Sequence, residues 1–313
     1  MSKPPRTHCL VIGNGAVGTT IASRLHLIGF RTSFVGRKGP VYIKSRLEAW
    51  GKTTYLDIQP LSQTDLSQIK IVFIAVKAYD LLGALDRYLS YVPRGIPVVI
   101  LSNGAIEDLV YNTARKHEHF LWRMGVCTFG VSQISNGIYA LKSKEGKATW
   151  GSVQLNRASV TSPSSFEIEL FNCDRNEFFQ WSDGIVPVVR KKWLFNVVIN
   201  SLCAANELSC NGELLSDMKQ LRQVFEEGFR LGYELWGNWP EGKERYFVDL
   251  VSLISSTSEN ENSMAKDVRA GERTENEFLA KLSENRRGYE LLPKLSKKIE
   301  SQMTQSSRRK EKT

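Results

Sequence analysis

A lysine and two asparagines share one face of a segment late in the sequence. This segment reads Lys191-Lys-Trp-Leu-Phe-Asn-Val-Val-Ile-Asn200. Because residues four apart lie on the same side of a helix, Lys192, Asn196 and Asn200 would form one polar stripe among apolar neighbours. The lysine can transfer a proton, and the amides can hold a polar substrate. Asparagine is a poor helix former, which favours a site, although a structural amide pair between helices stays open.

A glycine pattern near the N-terminus predicts a phosphate-binding turn. Its residues follow the apolar run His8–Ile12 and open a segment with helical periodicity. In that context, glycines allow a tight turn and let a pyrophosphate approach the helix N-terminus. An ordinary glycine-rich turn is the alternative. We predict a dinucleotide site formed by Gly13, Asn14, Gly15, Ala16, Val17 and Gly18.

The end of the second predicted strand indicates which dinucleotide is bound. An Asp or Glu commonly accepts hydrogen bonds from the ribose hydroxyls of NAD at this point. Here the strand ends Phe34-Val-Gly-Arg-Lys38, without an acid. Because Arg37 and Lys38 can neutralise a 2′-phosphate, the sequence favours NADPH/NADP+ as the cofactor. A plain basic turn would make that preference slight.

Two further polar residues follow buried strands. Lys77 comes after the run Ile71–Val76, and Asn103 comes after Pro97–Leu101. Ligands of parallel α/β sheets bind at the carboxyl ends of the strands, so both are candidates for a site. A solvated lysine and a common Asn-Gly turn are the alternatives.

Length, composition and charge exclude several classes of protein. The chain has 313 residues, 42% of them hydrophobic, which predicts a globular protein of about two domains. Its net charge is +9, but residues 294–313 alone carry seven Lys/Arg against two Asp/Glu. We expect Ser306–Thr313 to be a frayed, solvated end rather than a nucleic-acid-binding arm. No nucleic-acid partner is therefore predicted.

The sequence predicts a cytoplasmic protein without metal or disulfides. No stretch approaches the roughly 18 apolar residues that cross a bilayer, and no cleavable leader is recognised. The five cysteines are scattered and mostly lie among apolar residues, so we interpret them as reduced core thiols. The pair His117 and His119 has a spacing that favours a surface turn over a metal site.

The apolar patterns predict an α/β fold with two domains. An N-terminal Rossmann-type dinucleotide-binding domain is expected over residues 1–183, and an all-helical domain, with the basic tail, over residues 184–313. The polar segment Thr257–Asn276 is a floppy loop on composition alone. Besides the strands above, further strands are expected near residues 53–58, 121–129, 148–154 and 177–181. Helices are expected near residues 81–89, 164–171, 186–206, 217–235, 243–255, 274–286 and 290–302.

Taken together, these motifs resemble the ketopantoate reductases. The glycine turn, Lys77, Asn103-Gly104 and the Lys192 helix occur in that family's order. They are followed by Asn211-Gly-Glu-Leu214, Asn260-x-x-Ser263-Met264, Asp267-x-x-x-Gly271 and Thr274-Glu275. The resemblance covers roughly residues 8–300.

The resemblance implies an activity and a set of roles. Family members reduce 2-dehydropantoate to (R)-pantoate with NADPH, and their active site lies between a Rossmann domain and a helical domain. By this resemblance, Lys192 is the general acid and Glu275 its acidic partner, which also meets the cofactor. Arg37, Lys77 and Asn103 contact the cofactor, and the polar segment before Glu275 becomes a wall of the site rather than a loop. The substrate-holding residues are Asn103, Asn196, Asn200, Asn260 and Ser263.

The sequence leaves alternatives for the function. A reductase of a different branched 2-oxo acid would share all these residues, because the motifs report the chemistry rather than the acyl group. A non-catalytic NADP-binding sensor is the alternative from another class. A homodimer fits the family, but the sequence does not determine the oligomeric state.

Overall fold

The computed structural model describes most of the chain. The described residues are 7–36, 39–40, 43–49, 52–58, 66–135, 138–141, 146–154 and 161–310. They form two compact units. The first contains the residues up to Ser102 together with Ile106–Val186, and the second contains Asn103–Ala105 and the chain from Pro187 onward. The protein is therefore an α/β fold with a mainly parallel sheet and a helical C-terminal region.

The first unit is built on an eight-stranded sheet. Its spatial order is β12-β11-β8-β7-β6-β1-β2-β3. In the central part, from β8 to β2, all neighbouring strands are parallel. The buried runs predicted from the sequence supply these central strands. The strands are β1 (His8–Ile12), β2 (Arg31–Gly36), β3 (Gly39–Pro40), β6 (Ile69–Ile74), β7 (Pro97–Ile100), β8 (Leu121–Cys127), β11 (Ala148–Ser152) and β12 (Phe179–Trp181).

A second, four-stranded sheet belongs to the same unit. The sequence indicated only the strand near residues 53–58, whereas the structure shows a β5-β4-β10-β9 arrangement. The helix α1 (Ala16–Leu27) packs against its strands. The four strands are β4 (Ile43–Ala49), β5 (Lys52–Ile58), β9 (Val131–Ser135) and β10 (Ile138–Leu141).

A buried ion pair connects one outer helix of this unit to the sheet. Among the described residues, the remaining α-helices of this unit are α2 (Leu81–Tyr88), α3 (Glu107–Lys116) and α4 (Ser165–Cys173). Arg123, on β8, reaches Glu167 of α4 at 3.2 Å, and Trp150 donates to the same carboxylate at 2.8 Å. Because all three side chains are almost fully buried, the pairing offsets the cost of removing the two charges from water.

The second unit is helical, as predicted. One apolar core unites all its helices and includes Trp193, Leu194 and Phe225. The helices are α5 (Ile185–Ala205), α6 (Met218–Trp236), α7 (Lys243–Ser256), α8 (Ser263–Arg269) and α9 (Leu291–Lys310).

Two expectations for this unit are wrong. The segment 274–286 is not one helix but two short 3-10 turns, Asn276–Phe278 and Ala280–Ser283. The described tail is not frayed, because α9 continues to Lys310. Ser307 donates to the carbonyl of Gly271 at 2.9 Å, and cationic residues in the last turn complement the helix dipole.

Within the described ranges, no helix is both long and apolar enough to cross a membrane.

Candidate active site

The predicted glycine turn joins β1 to α1. Gly13 has φ +106°, and a side chain there would collide with the carbonyl of Ala75. A Cβ on Gly18 would collide with the carbonyl of Gly13. Both positions therefore require glycine for close packing of turn, helix and neighbouring strand.

The turn is open on the side of Gly15. Among the described atoms, none lies within 4 Å of where its Cβ would stand, and Gly15 and Asn14 are exposed. Within the described segments, no side chain caps the N-terminus of α1, and its first turn has no acidic residue. The first N–H groups of a helix, here from Ala16 and Val17 onward, lack intrahelical acceptors and favour an anion. The turn thus fits a dinucleotide pyrophosphate.

Of the two lysine and arginine residues predicted to contact the cofactor, the structure describes only Lys77. Arg37 lies outside the described residues, directly after β2. Lys77 is half-buried and begins the 3-10 turn Ala78–Asp80 beyond β6. Ser102 donates to the carbonyl of Val76 at 2.7 Å, which fixes the chain just before Lys77.

The polar stripe lies on α5, as predicted. Lys192 and Asn196 are half-buried, and Asn200 is 8% exposed. Their neighbours Trp193 and Val197 are buried in the apolar core of the helical unit. The stripe therefore borders a dry interior, where hydrogen bonds and charges act more strongly than in water.

Asn200 is held by a residue that the sequence reasoning missed. Asn262 donates from Nδ2 to Asn200 Oδ1 at 2.8 Å, and both side chains are buried. Asn262 also caps α8, because its Oδ1 accepts from the backbone N–H groups of Met264 and Ala265. The signal was present: an asparagine immediately before a helical segment is a preferred N-cap. The contact ties α5 to the start of α8, where Ser263 is exposed.

A carbonyl brings three predicted segments together. Phe278 O accepts from the indole nitrogen of Trp193 at 3.0 Å and from Ala105 N at 3.2 Å. Trp193 follows Lys192, and Ala105 lies two residues after the half-buried Asn103. Sequence reasoning missed Trp193 as a support for the site.

Glu275 starts the turn that ends in this carbonyl. It is 5% exposed, and its backbone oxygen accepts from Phe278 N at 2.9 Å. The next residue, Asn276, donates to Ser296 of α9 at 2.9 Å. Burying a carboxylate costs free energy unless its charge is compensated, and this burial makes Glu275 a candidate for a chemical role.

The lysine beside the stripe is bound elsewhere. Lys191 Nζ lies 2.6 Å from Asp249 of α7 and 5.2 Å from the ring centre of Tyr246. This hydrogen bond is the main cause that lowers the pKa of Asp249. Lys191 is thereby held in an ion pair away from the stripe, which leaves Lys192 as the candidate proton donor.

Asn260 lies in the segment between α7 and α8. It is half-buried, and its carbonyl accepts from Asn211 N at 3.0 Å. Gly212 N donates to Ser258 at 2.9 Å, so two backbone bonds hold this segment. The segment is thus fixed, as the wall interpretation of residues 257–276 requires.

Cysteines and metal-binding groups offer no competing chemistry in the described ranges. All five cysteines are free thiols. Burial raises the pKa of Cys203 to about 12, which keeps it an inert thiol, whereas Cys173 is exposed, unlike the core position expected for most of them. No group of three metal-ligating side chains occurs among the described residues.

A dinucleotide-type glycine turn and a lysine-and-amide stripe occur in one chain, as is typical of dinucleotide-dependent oxidoreductases that act on small molecules. The sequence matches the family model Ketopantoate reductase PanE/ApbA over residues 9–154 and the model of its C-terminal part over residues 185–282. The chain belongs to the ketopantoate reductase family, and it is an oxidoreductase of the class acting on CH–OH groups.

A curated relative and several solved structures resemble the chain. The 2-dehydropantoate 2-reductase of Archaeoglobus fulgidus is 27% identical over 287 residues, which is 86% of this chain and 87% of the relative. The ketopantoate reductase structure from Ralstonia eutropha JMP134 matches with a TM-score of 0.77 at 17% identity, covering 96% of this chain and 99% of that one.

Two further solved structures match the chain, one of a dehydrogenase with bound ligands and one of a dimeric reductase. D-mandelate dehydrogenase with NADH and anilino(oxo)acetate matches with a TM-score of 0.76 at 14% identity. A dimeric ketopantoate reductase from Staphylococcus aureus matches with a TM-score of 0.71 at 15% identity. Each covers 96% of this chain, with 99% of its own chain matched. At such identities, these structures support the fold alone.

Proposed function

We propose that the protein reduces 2-dehydropantoate to (R)-pantoate with NADPH, a step toward pantothenate and coenzyme A. The observation that carries this proposal is the lysine-and-amide stripe on α5, in a chain of the ketopantoate reductase family. The name of the Archaeoglobus fulgidus relative supports the choice of substrate. The protein acts in the cytoplasm in this proposal.

Lys192 is the general acid. When bound, the nicotinamide supplies a hydride to C2 of the substrate. The ketone oxygen then gains negative charge, and the Lys192 ammonium stabilises this charge and donates a proton to the oxygen. Glu275, which is buried, is the acidic partner of the lysine and lies at the substrate hydroxyl.

Amide and hydroxyl groups hold the substrate. A 2-oxo acid presents a carboxylate and a carbonyl, both of which accept hydrogen bonds, so donors from side chains suit it. Fixing the substrate in this way contributes to rate by orienting the ketone toward the proton donor. The residues in this role are Asn103, Asn196, Asn200, Asn260 and Ser263.

The cofactor binds at the glycine turn. The backbone of residues 13–18 holds the pyrophosphate, and Arg37 neutralises the 2′-phosphate of NADPH. Lys77, Asn103 and Glu275 contact the cofactor nearer the reaction centre. A structural relative contains NADH, so the preference for NADPH depends on the cations after β2.

A second 2-oxo acid is the alternative substrate. The fold match to D-mandelate dehydrogenase, which holds anilino(oxo)acetate, favours this alternative because one fold can serve different acyl groups. The homodimer is also part of the proposal, supported by the dimeric relative.

The deciding experiment follows NADPH oxidation by absorbance with 2-dehydropantoate, beside a panel of other 2-oxo acids and an NADH control. Selective turnover of 2-dehydropantoate with NADPH is expected. Activity only on another acid would change the substrate and keep the mechanism. Binding of NADPH without turnover of any acid would contradict the proposed enzymatic function and favour a non-catalytic NADP-binding sensor.

Adjacent lysines provide a matched pair of variants. Lys192→Ala should lower turnover by about 10² to 10⁴-fold while NADPH binding stays nearly unchanged, because it removes the proton donor. Lys191→Ala, which breaks the pair with Asp249, should keep most of the turnover. Equal activity of the two variants would contradict the assignment of Lys192.

A further inference from the structure

The capping bond of α8 determines which way the buried amide of Asn262 faces. Two backbone N–H groups, from Met264 and Ala265, point at this side chain at 3.0 Å and 3.1 Å. Only the amide oxygen can accept them, because the NH2 group is a donor. The Nδ2 group of Asn262 must therefore face the other way, toward Asn200.

The orientation of the Asn262 amide determines the orientation of the Asn200 amide. Nδ2 of Asn262 donates at 2.8 Å, so the atom of Asn200 that meets it must be the oxygen. The opposite orientation would place two NH2 groups against each other. Asn200 has used its acceptor on Asn262, and within the described part of the chain its Nδ2 makes no hydrogen bond.

We propose that Asn262 is a positioning residue that fixes Asn200 as a hydrogen-bond donor toward an acceptor oxygen of the 2-oxo acid. This inference rests on the proposed function and adds to it the direction of the hydrogen bond between Asn200 and the substrate. Asn200 lies two turns from Lys192 on α5, roughly 12 Å along the helix axis, so it serves a part of the substrate remote from the proton donor. A fixed donor suits an acceptor oxygen of the substrate, whereas a fixed acceptor would place two oxygen lone pairs against each other.

The hydrogen bonds of Asn262 link the N-cap of α8 to the orientation of the substrate-binding amide of Asn200. Asn262 is 5% exposed and Asn200 is 8% exposed, so water competes little with either bond. An amide without this support can rotate and present its oxygen to the substrate. Asn262 thereby selects against the wrong orientation without touching the substrate itself.

Two substitutions separate capping from orientation. Asn262→Asp keeps an oxygen that caps α8, but it reverses the second bond, because a carboxylate can only accept from Asn200. Asn200 would then turn its oxygen toward the substrate. Asn262→Ser also keeps a cap, is uncharged, and leaves the amide of Asn200 free to rotate.

The test measures KM and kcat with NADPH and 2-dehydropantoate, together with calorimetric Kd of 2-dehydropantoate in the presence of NADP+. We expect KM and Kd to rise about threefold in Asn262→Ser and at least tenfold in Asn262→Asp, with smaller changes in kcat. Because the introduced carboxyl group can donate again once it is protonated, KM of the Asn262→Asp variant should recover as the pH falls.

A matched control exchanges amide and carboxylate at another cap. Asp217 caps α6 by accepting from Gln220 N at 2.9 Å, so Asp217→Asn should leave KM unchanged. Thermal unfolding of all variants reports whether the caps are kept. Folded Asn262 variants with wild-type KM and Kd would overturn the inference.

The two proposals fail in distinguishable ways. If the wild type binds 2-dehydropantoate without turnover and the Asn262 variants bind it more weakly, the positioning role stands and the proposed reaction falls. If the wild type turns over and the Ser and Asp variants match it, the reaction stands and the positioning role falls. A wild type that binds no 2-oxo acid overturns both.

Discussion

The indole nitrogen of Trp193 lies 3.0 Å from the carbonyl oxygen of Phe278 and donates a hydrogen bond to it. This bond fixes the helix residue next to Lys192 against the turn that begins at Glu275. The same carbonyl accepts from Ala105, so three separate segments share one acceptor. One side-chain donor, one backbone donor and a shared backbone acceptor therefore align the proposed acid and its partner indirectly.

Trp193→Phe should lower turnover more than it lowers stability. Phenylalanine keeps most of the apolar ring but removes the N–H, so we expect a loss of about 1 kcal/mol in the free energy of unfolding. A shift of α5 against the turn should reduce kcat about tenfold, because catalysis depends on small displacements. Steady-state kinetics and thermal unfolding measure both.

The control is Trp122→Phe in the first unit. Trp122 is also buried and donates to the carbonyl of His117 at 2.9 Å, so the stability cost should be similar. Its turnover should equal that of the wild type. A comparable loss of kcat in both variants would show that the effect is general destabilisation.

Gly15→Ala should weaken the cofactor without unfolding the protein. The added methyl group meets no described atom within 4 Å, but it would stand in the path of the pyrophosphate in the proposed cofactor site. We expect at least a tenfold rise in the Kd of NADPH with an unchanged melting temperature. Gly18→Ala should instead lower the melting temperature, since its methyl group collides with the carbonyl of Gly13. Destabilisation by Gly15→Ala would contradict this division of roles.

Arg37→Ala should change the preference between cofactors. Loss of a charged contact to the 2′-phosphate should raise the Kd of NADPH roughly 10- to 100-fold and leave that of NADH nearly unchanged. Fluorescence titration with both cofactors measures this. Arg31→Ala removes a cation at the other end of β2 and serves as the control. If Arg37→Ala weakens both cofactors equally, the selectivity lies elsewhere.

Glu275→Gln should reduce turnover and alter its pH dependence. The substitution keeps the shape but removes a buried carboxylate from the proposed proton-transfer group. The decline in kcat should be about 10²-fold, with one limb of the kcat–pH profile displaced. Glu277→Gln is the control, because Glu277 pairs with Arg273 at 2.5 Å and is partly exposed. An unchanged profile for Glu275→Gln would make Glu275 structural only.

Asp249→Asn should destabilise the protein only where the carboxylate is charged. The hydrogen bond from Lys191 lowers the pKa of Asp249 below its ordinary value of 3.8. A depressed folded-state pKa contributes stability above the unfolded value, and this is lost as the pH falls through the folded value. The difference in free energy of unfolding from wild type should thus be present at pH 7 and vanish well below 3.8. Urea unfolding across this range measures it, and a constant difference would exclude the ion pair as its cause.

Local sequence signals predicted the strand-turn-helix and the stripe. Gly13 and Gly18 are needed for reasons that involve only nearby backbone, and Lys192, Asn196 and Asn200 follow from helical periodicity alone. Both signals are short-range, so one sequence suffices to read them.

Long-range contacts explain what the sequence did not predict. The bonds of Trp193 to Phe278 and of Asn262 to Asn200 join residues more than 60 positions apart. The order of the tail depends on Ser307 meeting Gly271, which composition cannot reveal. Likewise, the segment 274–286 has helical periodicity, but Asn276 is bound to Ser296 and the turns stay short. Tertiary contacts outweigh local propensity at these positions.

The grouping of Asn103–Ala105 with the helical unit has a consequence for protein engineering. These three residues lie between β7 and α3, which both belong to the first unit. The backbone N–H of Ala105 nevertheless donates a hydrogen bond to the carbonyl of Phe278 in the second unit. A recombinant fragment that starts at Pro187 would lack that donor and would leave the carbonyl with Trp193 alone. Chimaeras that graft this helical unit onto another nucleotide-binding module therefore need two junction regions, with the short peptide around Ala105 transplanted along with the C-terminal part.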